Sequence, residues 1–227
     1  VYETVAQFGE YSEASGFISF PDNYHYAYPM YLFGHGTKVR RDSAPSMGSF
    51  NDLNMWLGTS GYIYMEPDYL GLGVSQINHP YQLKDPTATV MIDMVYATRQ
   101  FCNQINGLQF NDQLYIAGYS EGGYAALAAV KEIEENHSDL NITMSFPMAG
   151  AYDMSGTMVD LMLSRERYSN PYYLPYVVLS YMERYDLGTV QDFFKPEYAE
   201  ILPELFNGDY SGAVSYTHLT LPTTPYV

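Results

Sequence analysis

The pentapeptide Gly118-Tyr119-Ser120-Glu121-Gly122 lies between two stretches of different periodicity. The four residues before it are an apolar run of strand length, and an alanine-rich helical stretch follows from residue 123 to about residue 135. A serine between two glycines on a strand-to-helix turn is typical of a nucleophile elbow, with the serine at the N-terminus of the next helix. Because Gly-x-Ser-x-Gly also occurs by chance, the flanking strand and helix decide for this interpretation against an ordinary glycine-rich turn.

Two further motifs lie upstream of the pentapeptide. Residues 28–33 are a strand-like apolar run that leads into His35-Gly36-Thr37, and Pro67-Asp68-Tyr69 ends a second such run. With the elbow, and in this order, they resemble the serine esterases and lipases of the α/β-hydrolase superfamily, most of all the secretory-lipase-like group. The similarity covers roughly residues 1–160.

The resemblance implies that an oxyanion hole lies beside the nucleophile. In such folds the loop after the upstream strand supplies one backbone N–H, and the residue after the nucleophile supplies the other. This assigns the N–H groups of Thr37 and Glu121, with Ser120 as the attacking residue. We expect His35 to brace the loop rather than to take part in the chemistry.

The spacing of apolar residues along the chain also predicts the fold class, independently of the family resemblance. Asp85 and Pro86 are expected to begin a helix, with Asp85 capping free N–H groups. One face of that helix is predicted to carry Met91, Met94, Val95, Thr98 and Cys102. Another strand is predicted over residues 141–149. Alternating strands and helices of this length indicate an α/β fold, with a mostly parallel sheet covered by helices on both faces.

The sequence pattern changes after residue 157. We therefore divide the expected α/β-hydrolase domain (1–213) into a core (1–157) and a helical lid segment (158–213), which follows the sixth strand. The segment has helical spacing and contains spaced prolines and tyrosines, namely Pro171, Pro175, Pro196, Pro203, Tyr168, Tyr172, Tyr173, Tyr176, Tyr181 and Tyr185. Tyrosines suit a pocket lining, since the ring is apolar and its tip is polar. However, 25 of 227 residues are tyrosine, so their presence here says little about a ligand.

Residues 214–227 are expected to be a non-native tail. The run from Val214 to Thr224 resembles the in-frame translation of a sequencing-library adaptor, and it does not continue the alternation of strands and helices. The alternative is a genuine polar tail with a preference for β-structure. On the first interpretation the natural chain is truncated after about Ala213, and the tail should pack against nothing in particular.

This interpretation also predicts an incomplete catalytic triad. The order in these enzymes is Ser, acid, His, and the histidines after Ser120 are His137, at the far end of the elbow helix, and His218, in the tail. We therefore expect the catalytic histidine to be absent and the chain to be inactive. Asp153 is a candidate acid, but a cap on the first lid helix is its preferred role. Glu66 and Asp68 precede the nucleophile and are expected to shape the pocket rim or satisfy loop amides.

Composition narrows the classes of partner. Ten basic and 26 acidic residues give a net charge of −16, which is unsuited to nucleic acid or an anionic membrane surface. No apolar run reaches the ~20 residues of a membrane span. The single Cys102 is expected to be a buried thiol, and no metal-ligand spacing appears, because the histidines are isolated along the chain. We expect no cofactor and no metal. The resemblance favours an exported protein, and the oligomeric state stays open.

Three functions fit these patterns. The leading one is a carboxylic ester hydrolase acting on a small-molecule ester. A serine peptidase of the prolyl-oligopeptidase type shares the elbow, although a propeller domain would normally precede it. A non-catalytic binding protein of the same fold is disfavoured, since such a protein has no use for a strained serine.

Overall fold

The computed structural model describes residues 1–48, 52–163 and 170–220. Its strands are β1 (Tyr2–Val5), β2 (Tyr11–Ala14), β3 (Gly16–Ser19), β4 (Ala27–Gly34), β5 (Ile63–Pro67), β6 (Gln109–Tyr119) and β7 (Ile142–Met148). Its helices are α1 (Asp52–Thr59), α2 (Lys84–Gln104), α3 (Glu121–Asn136), α4 (Thr157–Leu163), α5 (Tyr173–Tyr185), α6 (Val190–Phe193), α7 (Pro196–Ala199), α8 (Leu202–Leu205) and α9 (Gly212–Thr220).

The described strands form a five-stranded central sheet in the order β3-β5-β4-β6-β7, beside a separate antiparallel pair of β1 and β2. β3 runs antiparallel to β5, whereas β4 is parallel to β5 and β6, and β6 is parallel to β7. The mostly parallel α/β sheet expected from the sequence is therefore confirmed. In the register of β4 and β6, Gly34 pairs with Gly118, so the loops that follow these strands leave the sheet side by side.

Helices cover both faces of the sheet. On one face, α2 and α3 bury apolar side chains against β4, β5 and β6. The predicted face of α2 is confirmed, because Met91, Met94, Val95, Thr98 and Cys102 are all buried. α1 packs against Ser19 of β3, whose neighbour Ile18 faces the α2–α3 cluster. Because successive side chains of a strand point to opposite faces, α1 lies on the other face.

The start of α2 differs from the prediction. The helix begins at Lys84 after the N-cap residue Leu83, which makes no side-chain capping bond. Asp85 therefore lies inside the first turn and is not the cap, and its carboxylate is 3.8 Å from the Lys84 ammonium. An acidic residue in the first turn still interacts favourably with the helix dipole.

The described residues of the predicted lid segment form helices and no strand, as expected. They surround a second apolar cluster whose buried members are Val39, Tyr81, Tyr176, Leu202, Leu205 and Phe206. Tyr168, named in the sequence analysis, lies outside the described residues. None of the helices in the described ranges has the length and apolar character that a membrane crossing needs.

The expectation that residues after 213 pack against nothing is wrong for residues 214–220. They belong to α9, where Val214 and Leu219 contact the second apolar cluster. Ser215 is fully buried, and its hydroxyl donates a hydrogen bond to the Leu205 carbonyl at 3.3 Å. Helical spacing places Ser215 and Leu219 on one face, which is the physical reason that a polar sequence can dock here. Residues 221–227 lie outside the described residues.

Candidate active site

Ser120 occupies the turn between β6 and α3, as predicted. Its backbone has φ 60° and ψ −121°, a conformation that is strained for a residue with a Cβ. The Ser120 N–H donates to the Met148 carbonyl at 3.0 Å, and the Ser120 carbonyl accepts from the N–H groups of Gly123 and Tyr124. These bonds tie the turn to the end of β7 and to the first turn of α3, so the strained conformation is held from both sides.

Close backbone packing explains the glycines around this turn. A Cβ added to Gly122 would lie 1.9 Å from the Gly34 carbonyl oxygen, and one added to Gly118 would lie 2.0 Å from the Gly122 carbonyl oxygen. The end of β4 and the start of α3 can approach this closely only without side chains. A Cβ on Gly36 would be 3.8 Å from the Ser120 Cβ, so the loop before Thr37 runs alongside the Ser120 turn.

His35 braces this loop, as expected from the sequence. Its buried ring contacts two carbonyl oxygens, Gly36 at 2.8 Å from Nδ1 and Asp68 at 3.2 Å from Nε2. Burial lowers the pKa of the His35 ring, which favours the neutral form. A neutral ring donates only one hydrogen, so it hydrogen bonds to one of these two carbonyl oxygens at a time. The Tyr69 hydroxyl also donates to the His35 carbonyl, at 3.1 Å.

The acidic residues Glu66, Asp68 and Asp153 all have structural partners, and the buried Glu66 carboxylate accepts a hydrogen bond from the Tyr64 hydroxyl at 2.8 Å. The Asp68 carboxylate is fully buried and accepts hydrogen bonds from the Ser15 hydroxyl and from the hydroxyl and N–H of Ser46. Asp68 therefore satisfies a loop amide, as expected. Asp153 accepts from the N–H groups of Gly156 and Thr157 at 3.0 and 2.9 Å, which places it at the start of α4 in its preferred capping role.

The most unexpected contact at the site joins the side chains of Glu121 and His79. Both are buried, and Glu121 Oε1 is 2.6 Å from His79 Nε2. The other ring nitrogen of His79, Nδ1, is 2.6 Å from the Leu70 carbonyl. The expected oxyanion hole uses only the backbone of Glu121, and His79 is one of the histidines that are isolated along the sequence. A separation of 42 residues has no helical or strand period, so no local pattern indicated this pair.

None of the described histidines hydrogen bonds to the Ser120 hydroxyl. Both ring nitrogens of His35 and of His79 face the acceptors given above. His137 Nδ1 is 2.9 Å from the Tyr96 hydroxyl, at the far end of α3. In the described parts of the chain, no group of three or more His, Cys, Asp or Glu side chains is arranged to hold a metal ion.

A small cavity of about 130 Å³ opens at Ser120. Its wall includes Tyr81, Glu121, Met158 of α4 and Val177 of α5, so the first two helices after β7 lie over the serine. A larger, mainly apolar cavity of about 560 Å³ lies next to it. The two share lining residues, namely Met154, Met162 and Val177.

Thr37 lies close to this cavity wall. Its hydroxyl is 2.9 Å from the hydroxyl of Tyr81, which lines the cavity together with Ser120 and Glu121. The structure therefore brings the predicted residues Thr37, Ser120 and Glu121 to the same end of the sheet, whereas the Asp153 carboxylate accepts from the N–H groups of Gly156 and Thr157 where α4 begins.

Comparison with solved structures finds the same fold in a protein described as a putative hydrolase and in an esterase. A crystal structure described as a putative hydrolase from Legionella pneumophila is 29% identical, with a TM-score of 0.85 over 97% of this chain and 60% of that one. The rice cell wall degrading esterase LipA from Xanthomonas oryzae is 26% identical, with a TM-score of 0.86 over 97% of this chain and 61% of that one. The chain thus spans about three fifths of the length of either protein.

A more distant similarity supports the fold alone. Candida antarctica lipase A is 14% identical, with a TM-score of 0.68 over 97% of this chain and 52% of that one. No protein-family model and no curated protein sequence matches the chain.

Proposed function

We propose that this chain belongs to a serine hydrolase that cleaves carboxylic esters through an acyl-enzyme on Ser120. The observation that carries the proposal is the strained backbone of Ser120 at a strand-to-helix turn, in the wall of a cavity. A strained residue persists only where the surrounding structure holds it, and such residues are concentrated at functional sites. Similarity to a putative hydrolase and to an esterase, at 29% and 26% identity, supports the same class of reaction.

The proposed chemistry uses two backbone N–H groups beside Ser120, one from the loop of Thr37 and one from the next residue, Glu121. The Ser120 oxygen attacks the ester carbonyl carbon, and the carbonyl oxygen becomes negatively charged. The N–H groups of Thr37 and Glu121 donate to that oxygen, and each such donor contributes roughly 2.7–4 kcal/mol to transition-state stabilisation in acyl transfer. The N-terminus of α3 adds favourable electrostatic potential. The carbon–oxygen bond to the alcohol then breaks, the alcohol leaves with a proton, and the acyl group stays on Ser120. Water hydrolyses this acyl-enzyme, which releases the acid and restores the serine hydroxyl.

The helices α4 and α5 act as a lid over the substrate in this proposal. Their side chains separate the small cavity at Ser120 from the larger apolar one, and both cavities share methionine and valine side chains. An ester with an apolar acyl group matches this lining, because burial of apolar surface is the main favourable term for such a ligand.

Proton transfer needs a group that the described residues do not place beside Ser120. In serine hydrolases a histidine takes the serine proton and later returns it to the leaving group. His35, His79 and His137 are bonded elsewhere. We therefore propose that the chain of 227 residues has little or no turnover, and that the reaction requires the longer protein with a histidine at this position.

The proposal is tested with short-chain nitrophenyl esters. The longer protein, extended with the sequence that its gene encodes after about residue 213, should hydrolyse them, and Ser120→Ala should abolish turnover. A fluorophosphonate should label Ser120 in the same protein, with the site located by mass spectrometry. Equal turnover by the Ser120→Ala variant would contradict the proposal.

The chain of 227 residues gives the second half of the test. It should turn over esters no faster than its own Ser120→Ala variant, since the hydroxyl lacks a base. A clear difference between them would show that a base is already present. Ester binding without turnover in the longer protein would instead identify a binding protein of this fold.

A further inference from the structure

The buried side chains of His79 and Glu121 have no part in the chemistry proposed above, although they lie next to the serine. Glu121 is the first residue of α3 and directly follows Ser120. His79 lies in the long loop between β5 and α2. The contact between Glu121 Oε1 and His79 Nε2, at 2.6 Å, therefore ties the N-terminus of α3 to a loop from another part of the chain.

The hydrogen bonds around His79 exclude a role as the missing base. Nδ1 faces the Leu70 carbonyl, which can only accept, so Nδ1 carries a hydrogen. One further proton lies between Nε2 and the Glu121 carboxylate, bound to one of them. In either arrangement both ring nitrogens are occupied, and neither is available to the Ser120 hydroxyl.

Aromatic rings connect this pair to the loop that precedes Thr37. The His79 ring is stacked on Tyr69 at 6.0 Å between centroids, and the Tyr69 hydroxyl donates to the His35 carbonyl. On another side the His79 ring lies 5.9 Å from that of Tyr81, whose hydroxyl is 2.9 Å from the Thr37 hydroxyl. The pair thus includes one proposed oxyanion donor, Glu121, and contacts two neighbours of the loop that carries the other, Thr37.

The stability of the fold does not by itself account for this buried pair of polar side chains. Such pairs often stabilise a protein no more than apolar side chains of similar volume, because removing ionisable groups from water is costly. Glu121 Oε2 is also buried without a hydrogen-bond partner in the described structure, which adds to that cost. An apolar side chain at position 121 would not form the directional hydrogen bond to His79 in the loop.

We propose that the His79–Glu121 pair is a positioning element that fixes the direction of the Glu121 and Thr37 N–H groups beside Ser120. The inference rests on the proposed function, since it assigns the pair to the oxyanion hole of that reaction. The Glu121 side chain, anchored through its carboxylate, limits rotation of the first peptide of α3. The Tyr69 and Tyr81 contacts extend the same constraint to the loop of Thr37. Donors fixed before the reaction need no reorganisation during it.

The test uses backbone amide resonances of the isotope-labelled chain, which do not depend on turnover. Glu121→Met removes the carboxylate and keeps similar volume, so the melting temperature should change little. We expect the Thr37 and residue 121 amides to shift, broaden and exchange with solvent severalfold faster. Glu121→Gln should leave them nearly as in the parent chain, because its amide can donate to His79 Nε2.

A distant histidine contact provides the matched control. Tyr96→Phe removes the bond to His137 and should leave the amides of Thr37 and Glu121 unchanged. If Glu121→Met does not fold, His79→Leu removes the partner of the carboxylate from the other side and is read in the same way. Unchanged amides in a folded variant that lacks the pair would overturn the proposal. Because catalysis is not measured, this failure is distinct from an absence of esterase activity.

Discussion

At Ser120, the backbone angles themselves are a source of strain. A residue with a Cβ at φ 60° and ψ −121° costs of order 1–3 kcal/mol, whereas glycine adopts such angles readily. We expect Ser120→Gly to be more stable than Ser120→Ala by about 1 kcal/mol, since alanine keeps the Cβ and the strain. Urea unfolding of both variants measures the difference. A glycine variant that is less stable than the alanine variant would show that the turn is not strained.

His35 makes stability depend on pH. Burial lowers the pKa of its ring below the ordinary value of 6.5. Below pH 6.5 the unfolded chain therefore binds a proton that the folded chain does not, so the free energy of unfolding falls as the pH decreases. The contribution is fully present above the unfolded pKa and is lost progressively below it.

The predicted consequence is a flatter pH profile in His35→Gln. Its free energy of unfolding should decrease less steeply below pH 6.5, by at most ~1.4 kcal/mol per pH unit for a single proton. His25→Gln, at an exposed position, serves as the control and should keep the slope of the parent chain. Chemical unfolding at several pH values gives both profiles, and an unchanged slope in His35→Gln would contradict the assignment.

Among the elements, the end of β4 and the loop after it contain two glycines, Gly34 and Gly36, whose substitutions can be compared. A Cβ on Gly34 would lie 2.8 Å from both the Gly122 carbonyl oxygen and the Tyr69 hydroxyl, too close for the packing of β4 against α3. A Cβ on Gly36 would have its nearest neighbour at 3.6 Å, which is ordinary contact. An added methyl group would therefore clash with its neighbours at Gly34 and fit at Gly36, although the two glycines are only two residues apart.

We expect Gly34→Ala to lose several kcal/mol of stability or to fail to fold, as overpacked sites do. Gly36→Ala should stay within ~0.5 kcal/mol of the parent chain, while its methyl group perturbs the amide resonances around Ser120. Thermal unfolding and amide spectra of the two variants provide the measurement. Equal destabilisation by both would show that the loop does not run alongside the serine in this way.

In the molecule as a whole, the free side of β7 is the feature that governs association. β7 is an edge strand of the described sheet, and alternate residues on one of its faces are exposed, namely Met144, Phe146 and Met148 at 51%, 44% and 43%. An edge strand with exposed apolar side chains is a template for pairing with another chain. We therefore expect the chain to self-associate despite its net charge of −16.

Lysine on this edge should prevent the association. The double variant Met144→Lys/Phe146→Lys is expected to sediment as a monomer at concentrations where the parent chain forms larger species, with a similar melting temperature. It brings the net charge closer to zero, so stronger charge repulsion would not explain the result. The control is Phe8→Lys/Tyr11→Lys, at exposed positions 58% and 83% accessible near the β1–β2 pair. An equal effect of the control would remove β7 from the explanation.

Much of the architecture was predictable, because it depends on contacts between near neighbours in the sequence. The strand-to-helix turn at Ser120 follows from a short apolar run, two glycines and a helical stretch. The buried face of α2 follows from helical spacing, and the same spacing predicted the burial of Cys102, which raises the pKa of its thiol to about 11. The brace formed by His35 was likewise local, since one of its partners is the adjacent Gly36.

The remaining features depend on which segments the sheet places side by side. Gly34 and Gly118 become neighbours only because β4 pairs with β6, and this brings the Thr37 loop beside Ser120. The bond between His79 and Glu121, and the docking of α9 on the second apolar cluster, join residues that no helical or strand period relates. Thus the sequence by itself determined the elements and the place of Ser120 at a strand-to-helix turn, through short-range periodicity and backbone preference. Only the tertiary structure decided the partners of the buried polar side chains. The fold buries segments that are far apart in the sequence against each other, and polar groups removed from water there must hydrogen bond to the neighbours that the fold supplies.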